Sequence, residues 1–263
     1  MCREPADSTG RRILDLSSLS TGLVIVAFLA ISSGALIKGM TGLGLPAIAV
    51  PAIATYTTVE EAVVLMIIPT FGSNLWLVVN HRRYAKLLKE HIPFLLAGFI
   101  GGIFGTFVLV AVDDRWLKLT LATWLAVYLL QFAFGNFLRP VFQGKGSAAA
   151  AVGLTAGTIL GATGVSAHIV APYLHGRNLK AEAYAFLIAS AFLIFSSAQL
   201  ATAVGTRLFT AERLMLGVMA LVPTLVFTRA GISLAGKISE ALFQKVLIGI
   251  FVLMEIKLIA DVL

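Results

Sequence analysis

Cysteine occurs once in these 263 residues, at Cys2, so the chain can form neither an intrachain disulfide nor a cysteine-based metal site. Charge is nearly as scarce: Asp, Glu, Lys and Arg supply 13% of the residues, where a soluble domain carries about a quarter. No His-Glu-x-x-His is present, which removes the usual zinc-hydrolase helix. Apolar residues supply 59% of the chain and the mean hydropathy is +0.95. A water-soluble fold of this length exposes too much surface to hide that composition. Lipid is the solvent that suits it.

Apolar stretches run over 19–37, 44–54, 62–79, 92–112, 117–138, 148–174, 183–204, 214–234 and 241–263. A membrane span needs about 20 apolar residues. The stretch 44–54 is too short to cross alone and continues 19–37 through a glycine cluster, so the two count as one interrupted element. The runs are longer than barrel strands and lack period-two alternation, which leaves helix. The expectation is an all-α, polytopic membrane helix bundle of about eight transmembrane elements, forming a single domain over 1–263. Arg3, Arg11 and Arg12 precede the first apolar run, as in a signal peptide. The run meets Lys38 and glycines without a small-x-small cut, so an uncleaved first helix is expected.

The net charge of +7 does not mark a nucleic-acid binder, because the basic residues sit in short loops between apolar runs rather than in one stripe. The most basic loop is 81–90, with Arg82, Arg83, Lys86 and Lys89. If each interrupted element crosses once, this loop shares a side with the start of the chain; if the elements are re-entrant hairpins, the parity changes and the assignment fails. With single crossings, Arg139, Lys145, Arg207 and Arg213 fall there too, opposite Asp113, Asp114 and the segment 177–182. The positive-inside rule then makes both termini cytoplasmic in a bacterial inner membrane.

The chain also repeats itself. Gly39-Met40-Thr41-Gly42-Leu43-Gly44-Leu45-Pro46 aligns with Gly161-Ala162-Thr163-Gly164-Val165-Ser166-Ala167-His168. Ala49-Val50-Pro51 then meets Val170-Ala171-Pro172 with one residue of slippage, and Glu61-Ala62 meets Glu182-Ala183. The period is about 120 residues, giving a first repeat over 19–138 and a second over 148–263. Paired Gly/Pro-interrupted segments in corresponding places point to a transporter's binding site. Glycine lets a helix unwind and proline removes a hydrogen bond, so backbone polar groups are freed inside the bilayer and need partners. A helix restarting after the break directs its positive end at the site, which favours anions. The bland reading of the same glycines is close helix packing.

The Gly-rich segment ending in proline, the basic loop beginning His81-Arg82-Arg83, and the glycine-rich element over 98–105 resemble the sulfite exporter TauE/SafE family of bacterial membrane proteins. The resemblance runs from about Gly34 onward. The family pattern has Gly-x-Gly-Gly-Gly before its proline; here the first copy reads Gly42-Leu43-Gly44-Leu45-Pro46, and the second has lost most of its glycines. The resemblance implies an exporter of a small anion such as sulfite, a sulfonate or a small organic acid, with no cofactor.

Lys38 lies within the first interrupted element, where an ammonium is costly unless it faces protein or a wet cavity and has a partner. An anion is the natural one; the alternative is a lysine snorkelling to the interface. His168 takes the place of Pro46 in the second copy and either meets an anion, carries a proton or bonds a neighbouring helix. Thr41, Thr163 and Ser166 offer hydroxyls to a ligand or bond back to carbonyls. The expected substrate-binding set is Lys38, Gly39, Thr41, Gly42, Gly44, Pro46, Asn74, Gly161, Thr163, Gly164, Ser166 and His168, with no metal site. Ser196, Ser197 and Gln199 are further polar positions within spans. Arg229 reads as a snorkeller or a deep anion clamp. Glu61 and Glu182 suit the first turn of a helix, and Glu255 and Lys257 the interface. A small anion and the bilayer are the expected partners, with a coupling proton and a homodimer left open.

An intramembrane enzyme is the rival class, since Gly164-Val165-Ser166-Ala167 looks like the Gly-x-Ser-x of rhomboid-like proteases. A serine nucleophile needs a base within hydrogen-bond reach, and His168, two residues on, points to another helix face. Glu60-Glu61 resembles the pair of paired-glutamate membrane proteases, but no arginine follows one turn later. A channel is the other alternative.

Overall fold

The computed structural model describes residues 21–134, 146–175, 179–235, 237 and 240–262. Arg3, Arg11 and Arg12, which precede the first apolar run, and Arg139, Lys145 and Arg177, used above to orient the chain, lie outside them. All described elements are helical. In chain order they are α1 Thr21–Thr41, α2 Leu45–Ala54, α3 Val59–Asn80, α4 Ile92–Ala111, α5 Asp114–Phe134, α6 Ser147–Thr163, α7 Ala167–His175, α8 Ala181–Gly205, α9 Ala211–Leu234 and α10 Glu240–Val262, with a 3₁₀ segment, Arg82–His91, before α4. Among the described residues five stretches are long and apolar enough to cross a bilayer: α1, α3, the 3₁₀ segment with α4, α8 and α9. Their outer faces carry Leu96, Ile100, Phe104 and Phe107 on α4 and Val218, Met219, Val222 and Val226 on α9, all exposed. Water would penalise so large an apolar patch; lipid does not.

Each interrupted element turns back on itself rather than crossing once. Gly42 (φ 82) and Gly44 (φ 115) occupy left-handed backbone at the first break, a conformation glycine adopts without a Cβ clash. They reverse the chain so that Leu45 lies beside Gly34: a Cβ on Gly34 would sit 2.7 Å from the Leu45 carbonyl. Pro46 lies in the first turn of α2, where its missing N–H costs nothing. The second break uses Gly164 (φ 73) to end α6. Here both legs reach one residue: Gly153 on α6 packs on the Phe94 backbone, and Tyr173 on α7 stacks on the Phe94 ring with centroids 4.1 Å apart.

These hairpins change the parity of the chain. At one face of the bundle, Thr58 caps α3 and accepts the Glu61 N–H at 3.2 Å, while Asp114 at the start of α5 accepts the Val59 N–H at 2.6 Å. Lys257 of α10 stands 3.6 Å over the Tyr56 ring there. Arg213 of α9 joins Glu61 at this face, called here the Arg213 face. The opposite, Arg83 face holds the 3₁₀ segment, the start of α4, both ends of the second hairpin and Glu182 at the start of α8, which pairs with Arg83. Since α2 returns to the Arg213 face, α1 starts there. The expectation that the basic loop and the start of α1 share a side is therefore corrected: three residues of glycine-rich break are enough to reverse a helix, and reversal flips every later loop.

Packing follows the glycines. α4 and α6 run parallel at backbone contact, with Gly157 against Gly98 and Gly161 against Gly102. α1 meets α9 in the same manner, Gly39 against Thr228 and Gly231 against Leu36. Small residues let membrane helices approach this closely, and their van der Waals contact holds them where no hydrophobic drive exists. α3 runs parallel to α9, with Ile68 on Gly217 and Leu221 on Gly72. Two apolar cores result: one joins α1, α2, the start of α3 and α5, and the other joins α4, α6, α7 and α8. α3 and α8 form the seam between them, closed toward the Arg213 face by Val64, Ile67, Ala203 and Leu208.

Candidate functional site

The two hairpin tips share a local construction. At the first, Thr41 Oγ1 lies 2.9 Å from both the Ile37 and Leu43 carbonyls and accepts the Leu43 N–H at 3.2 Å. At the second, Thr163 Oγ1 lies 2.7 Å from the Ile159 carbonyl and 3.3 Å from that of Val165, and accepts the Val165 N–H at 3.3 Å. In both, the hydroxyl stitches the last helical turn to the break and satisfies backbone groups that lipid could not. Thr41 and Thr163 thus hold the tips in shape.

Between the tips lies a cavity lined by Lys38, Gly42, Leu43, Gly44, Pro46 and Ala47 from the first hairpin, Val165, Ser166 and Ala167 from the second, Thr70 and Asn74 from α3, and Phe192 from α8. Thr70 and Phe192 place the cavity beside the middle of α3 and of α8. It holds about one water. Lys38 is 2% exposed, and its Nζ donates to Asn74 Oδ1 at 2.5 Å. It does not snorkel. Among the described residues no carboxylate pairs with it. A buried ammonium satisfied by one neutral amide is an incomplete arrangement, since charges in low dielectric call for a counter-charge. Asn74 Nδ2 and Ser166 Oγ are also buried and have no hydrogen-bond partner among the described residues. Donors therefore predominate around this cavity, and the first turns of α2 and α7 border it.

The expected site residues divide into groups. Lys38, Gly42, Gly44, Pro46, Asn74 and Ser166 line this cavity. Gly39 and Gly161 instead face α9 and α4, where a Cβ would overlap a neighbouring backbone; the bland reading of those glycines holds. Gly164 faces Val50 and Val63. His168 points to another side, its ring stacked on Trp124 with centroids 4.3 Å apart and its Nε2 buried with no partner among the described residues. It helps to line a second, apolar cavity with Ala47, Pro51, Leu121, Trp124, Leu125, Val165, Ala167 and Phe251. Ser196 and Ser197 bond back to Leu193, and Gln199 donates to the Leu160 and Gly161 carbonyls at 3.2 Å each, bracing the end of α6. Arg229 is exposed, as a snorkelling residue would be.

Sequence reasoning missed Thr70 and Phe192 in the cavity, and it missed the role of Glu61. Rather than simply complementing a helix end, Glu61 is 3% exposed and pairs with Arg213, itself 7% exposed. Arg213 Nε donates to Glu61 Oε2 at 3.1 Å, a second nitrogen reaches Glu60 at 3.2 Å, and a third donates to the Leu208 carbonyl at 2.7 Å. The counterpart Glu182 pairs with Arg83 in the open and accepts the Tyr84 hydroxyl at 2.8 Å. Matching Glu61 with Glu182 in the repeat was the available signal. Their partners come from residues too distant in sequence for any local pattern to find.

Apolar helices, two reversed hairpins whose tips meet and a buried lysine at their junction define a multi-pass membrane protein with an internal polar cavity. The chain matches the family model described as Sulfite exporter TauE/SafE over residues 25–258 and belongs to that family. It is thus a member of a family of membrane transporters and not of enzymes. Comparison with curated proteins and with solved structures returned no match.

Proposed function

We propose that this chain carries a small anion across a bacterial inner membrane, bound between the hairpin tips by Lys38, Asn74 and Ser166. The observation that carries this reading is Lys38: a buried ammonium with no carboxylate partner among the described residues, facing a cavity to which both breaks contribute. An oxyanion would complete it, its charge against Nζ and its oxygens accepting from Asn74 Nδ2, Ser166 Oγ and the freed N–H groups of the tips. The cavity is too small for such an anion as it stands, so binding requires the tips to move apart, and the seam between α3 and α8 is where they can.

The membrane arrangement belongs to the same proposal. Eight elements, two hairpins and six crossings, form two repeats of opposite orientation, the first entered from the Arg213 face and the second from the Arg83 face. Arg82, Arg83, Lys86, Lys89, Lys180 and Lys237 flank the Arg83 face against Arg115, Lys118, Arg207, Arg213 and Lys257 on the other; four of the six fall within one short segment, which favours the Arg83 face as cytoplasmic. In a Cys2→Ser background, a cysteine at Lys86 should resist a membrane-impermeant thiol reagent in intact cells and one at Arg207 should react. The reverse pattern overturns the orientation.

Counterflow of radiolabelled sulfite in proteoliposomes tests the function, because only a carrier exchanges a solute against itself. Losing a buried charge that pairs with a ligand typically costs a few kcal/mol, so Lys38→Ala should slow exchange roughly a hundredfold or more. Lys237→Ala should leave it unchanged. Equal exchange in the two at matched expression removes Lys38 from the site.

A further inference from the structure

Ten residues join α3 to α4 as a 3₁₀ helix, Arg82–His91, although runs of this kind rarely exceed three or four residues. The span to be covered accounts for the form. α8 packs against both α3 and α4, which flank it, so the end of α3 and the start of α4 lie about two packed-helix spacings apart, roughly 16–20 Å. Ten residues rise about 20 Å as a 3₁₀ helix and about 15 Å as an α-helix. The segment is therefore a strap laid over the start of α8, across the helix ends rather than along them. Glu182 in the first turn of α8 holds it there, pairing with Arg83 and accepting the Tyr84 hydroxyl at 2.8 Å.

The 3₁₀ period also sorts the side chains. Residues three apart eclipse, so Arg83, Lys86 and Lys89 form one row, where an α-helix would spread them over about a third of its circumference. Tyr84, Leu87 and Leu88 pack on the second apolar core, and His91 is buried. Arg82, Arg83, Lys86 and Lys89 are exposed. Glu182 offsets the charge of Arg83, while among the described residues Lys86 and Lys89 have no ion-pair partner. Glu90 is the one carboxylate in the segment, and its spacing sets it in line with Tyr84 and Leu87, away from the row. Three residues beyond Lys89 comes Ile92, where the row gives way to an exposed apolar lane down α4: Ile92, Leu96 and Ile100, four apart on one helix face.

We infer that this strap is a docking site for an anionic phospholipid, with its phosphate headgroup on Lys86 and Lys89 and an acyl chain along Ile92, Leu96 and Ile100. Complementarity carries the assignment: cations at the membrane surface followed by an apolar lane match a lipid's own order, charge and then hydrocarbon. A soluble anion would use the lysines and leave the lane without a role. The site shares no residue with the Lys38 cavity, so it stands whatever that cavity carries.

The test uses the purified full-length protein in a neutral detergent, with dioleoylphosphatidylglycerol or dioleoylphosphatidylcholine added. The thermal midpoint reads binding, since a ligand of the folded state raises it. Phosphatidylglycerol should raise the midpoint at lower concentration than phosphatidylcholine, and added salt should narrow the gap. Lys86→Gln/Lys89→Gln should raise the half-saturating phosphatidylglycerol concentration roughly thirtyfold and leave the lipid-free midpoint unchanged. Arg115→Gln/Arg207→Gln, which removes equal charge from the opposite face, should respond as wild type does. Equal responses to the two lipids, or equal losses in the two double variants, overturn the inference. Glycerol 3-phosphate competing as well as whole lipid overturns it too, because the lane would then contribute nothing.

Discussion

The two hairpins have the same frame and different chemistry. Each ends in a threonine that stitches the break, each turns on left-handed glycine, and each carries a proline in its second leg. Yet the first contributes a cation and the second a serine and a stacked histidine. A duplicated scaffold has kept the residues that shape the turn and diverged at those facing the cavities. Backbone groups freed at a break must be satisfied in lipid whatever the cargo, whereas side chains lining the cavity answer only to the cargo. The two ion pairs differ likewise: Glu61 with Arg213 is buried, and Glu182 with Arg83 stands in solvent.

The sharpest way to break the hairpin comparison is to exchange their contributions. Lys38→Ala should cost a hundredfold or more in anion exchange, while Ser166→Ala, which removes one neutral hydrogen bond of about 1 kcal/mol, should cost only several-fold. Comparable losses would mean that the second hairpin holds the charge as firmly as the first. Next in size is the buried ion pair. Arg213→Ala strands Glu61 in a closed environment, and breaking such a pair typically costs about 3–5 kcal/mol, readable as a large drop in the thermal midpoint of the purified protein. Arg83→Ala should shift that midpoint little, because exposed pairs are screened; equal drops would show that the buried and exposed pairs are not distinguished by solvent. The smallest effect concerns the shared frame: Thr41→Val and Thr163→Val should each destabilise by about 1 kcal/mol, and by similar amounts. A tolerant Thr163→Val beside a damaging Thr41→Val would show that the first tip alone needs its stitch.

Much of the site was legible in the sequence because it obeys local rules. Glycine, threonine and proline at a duplicated break mark where a helix cannot continue, and a lysine between apolar runs marks a charge needing company. The reversal of the hairpins was not legible. Gly42 and Gly44 permit a straight interruption as readily as a turn, and the choice is made by Gly34 receiving the Leu45 backbone, a tertiary contact. Gly39 and Gly161 read as site glycines because they share the motif, yet each lies on the helix face turned to another backbone. His168 carried its own clue in its spacing from Ser166, since residues two apart on a helix do not share a face. Arg213 had none: 152 residues separate it from Glu61.

The glycine contacts between α1 and α9 also set a schedule. α6 meets α4 soon after both have entered the membrane. Gly39, however, has to wait for Thr228 and Gly231, which leave the ribosome roughly 190 residues later, about 10–40 s at ordinary rates of synthesis. Throughout that interval the hairpin bearing Lys38 sits in the bilayer without the helix that clamps it. A chain halted after α8 would therefore carry a finished second hairpin and a first one whose Gly39 face lies open to lipid.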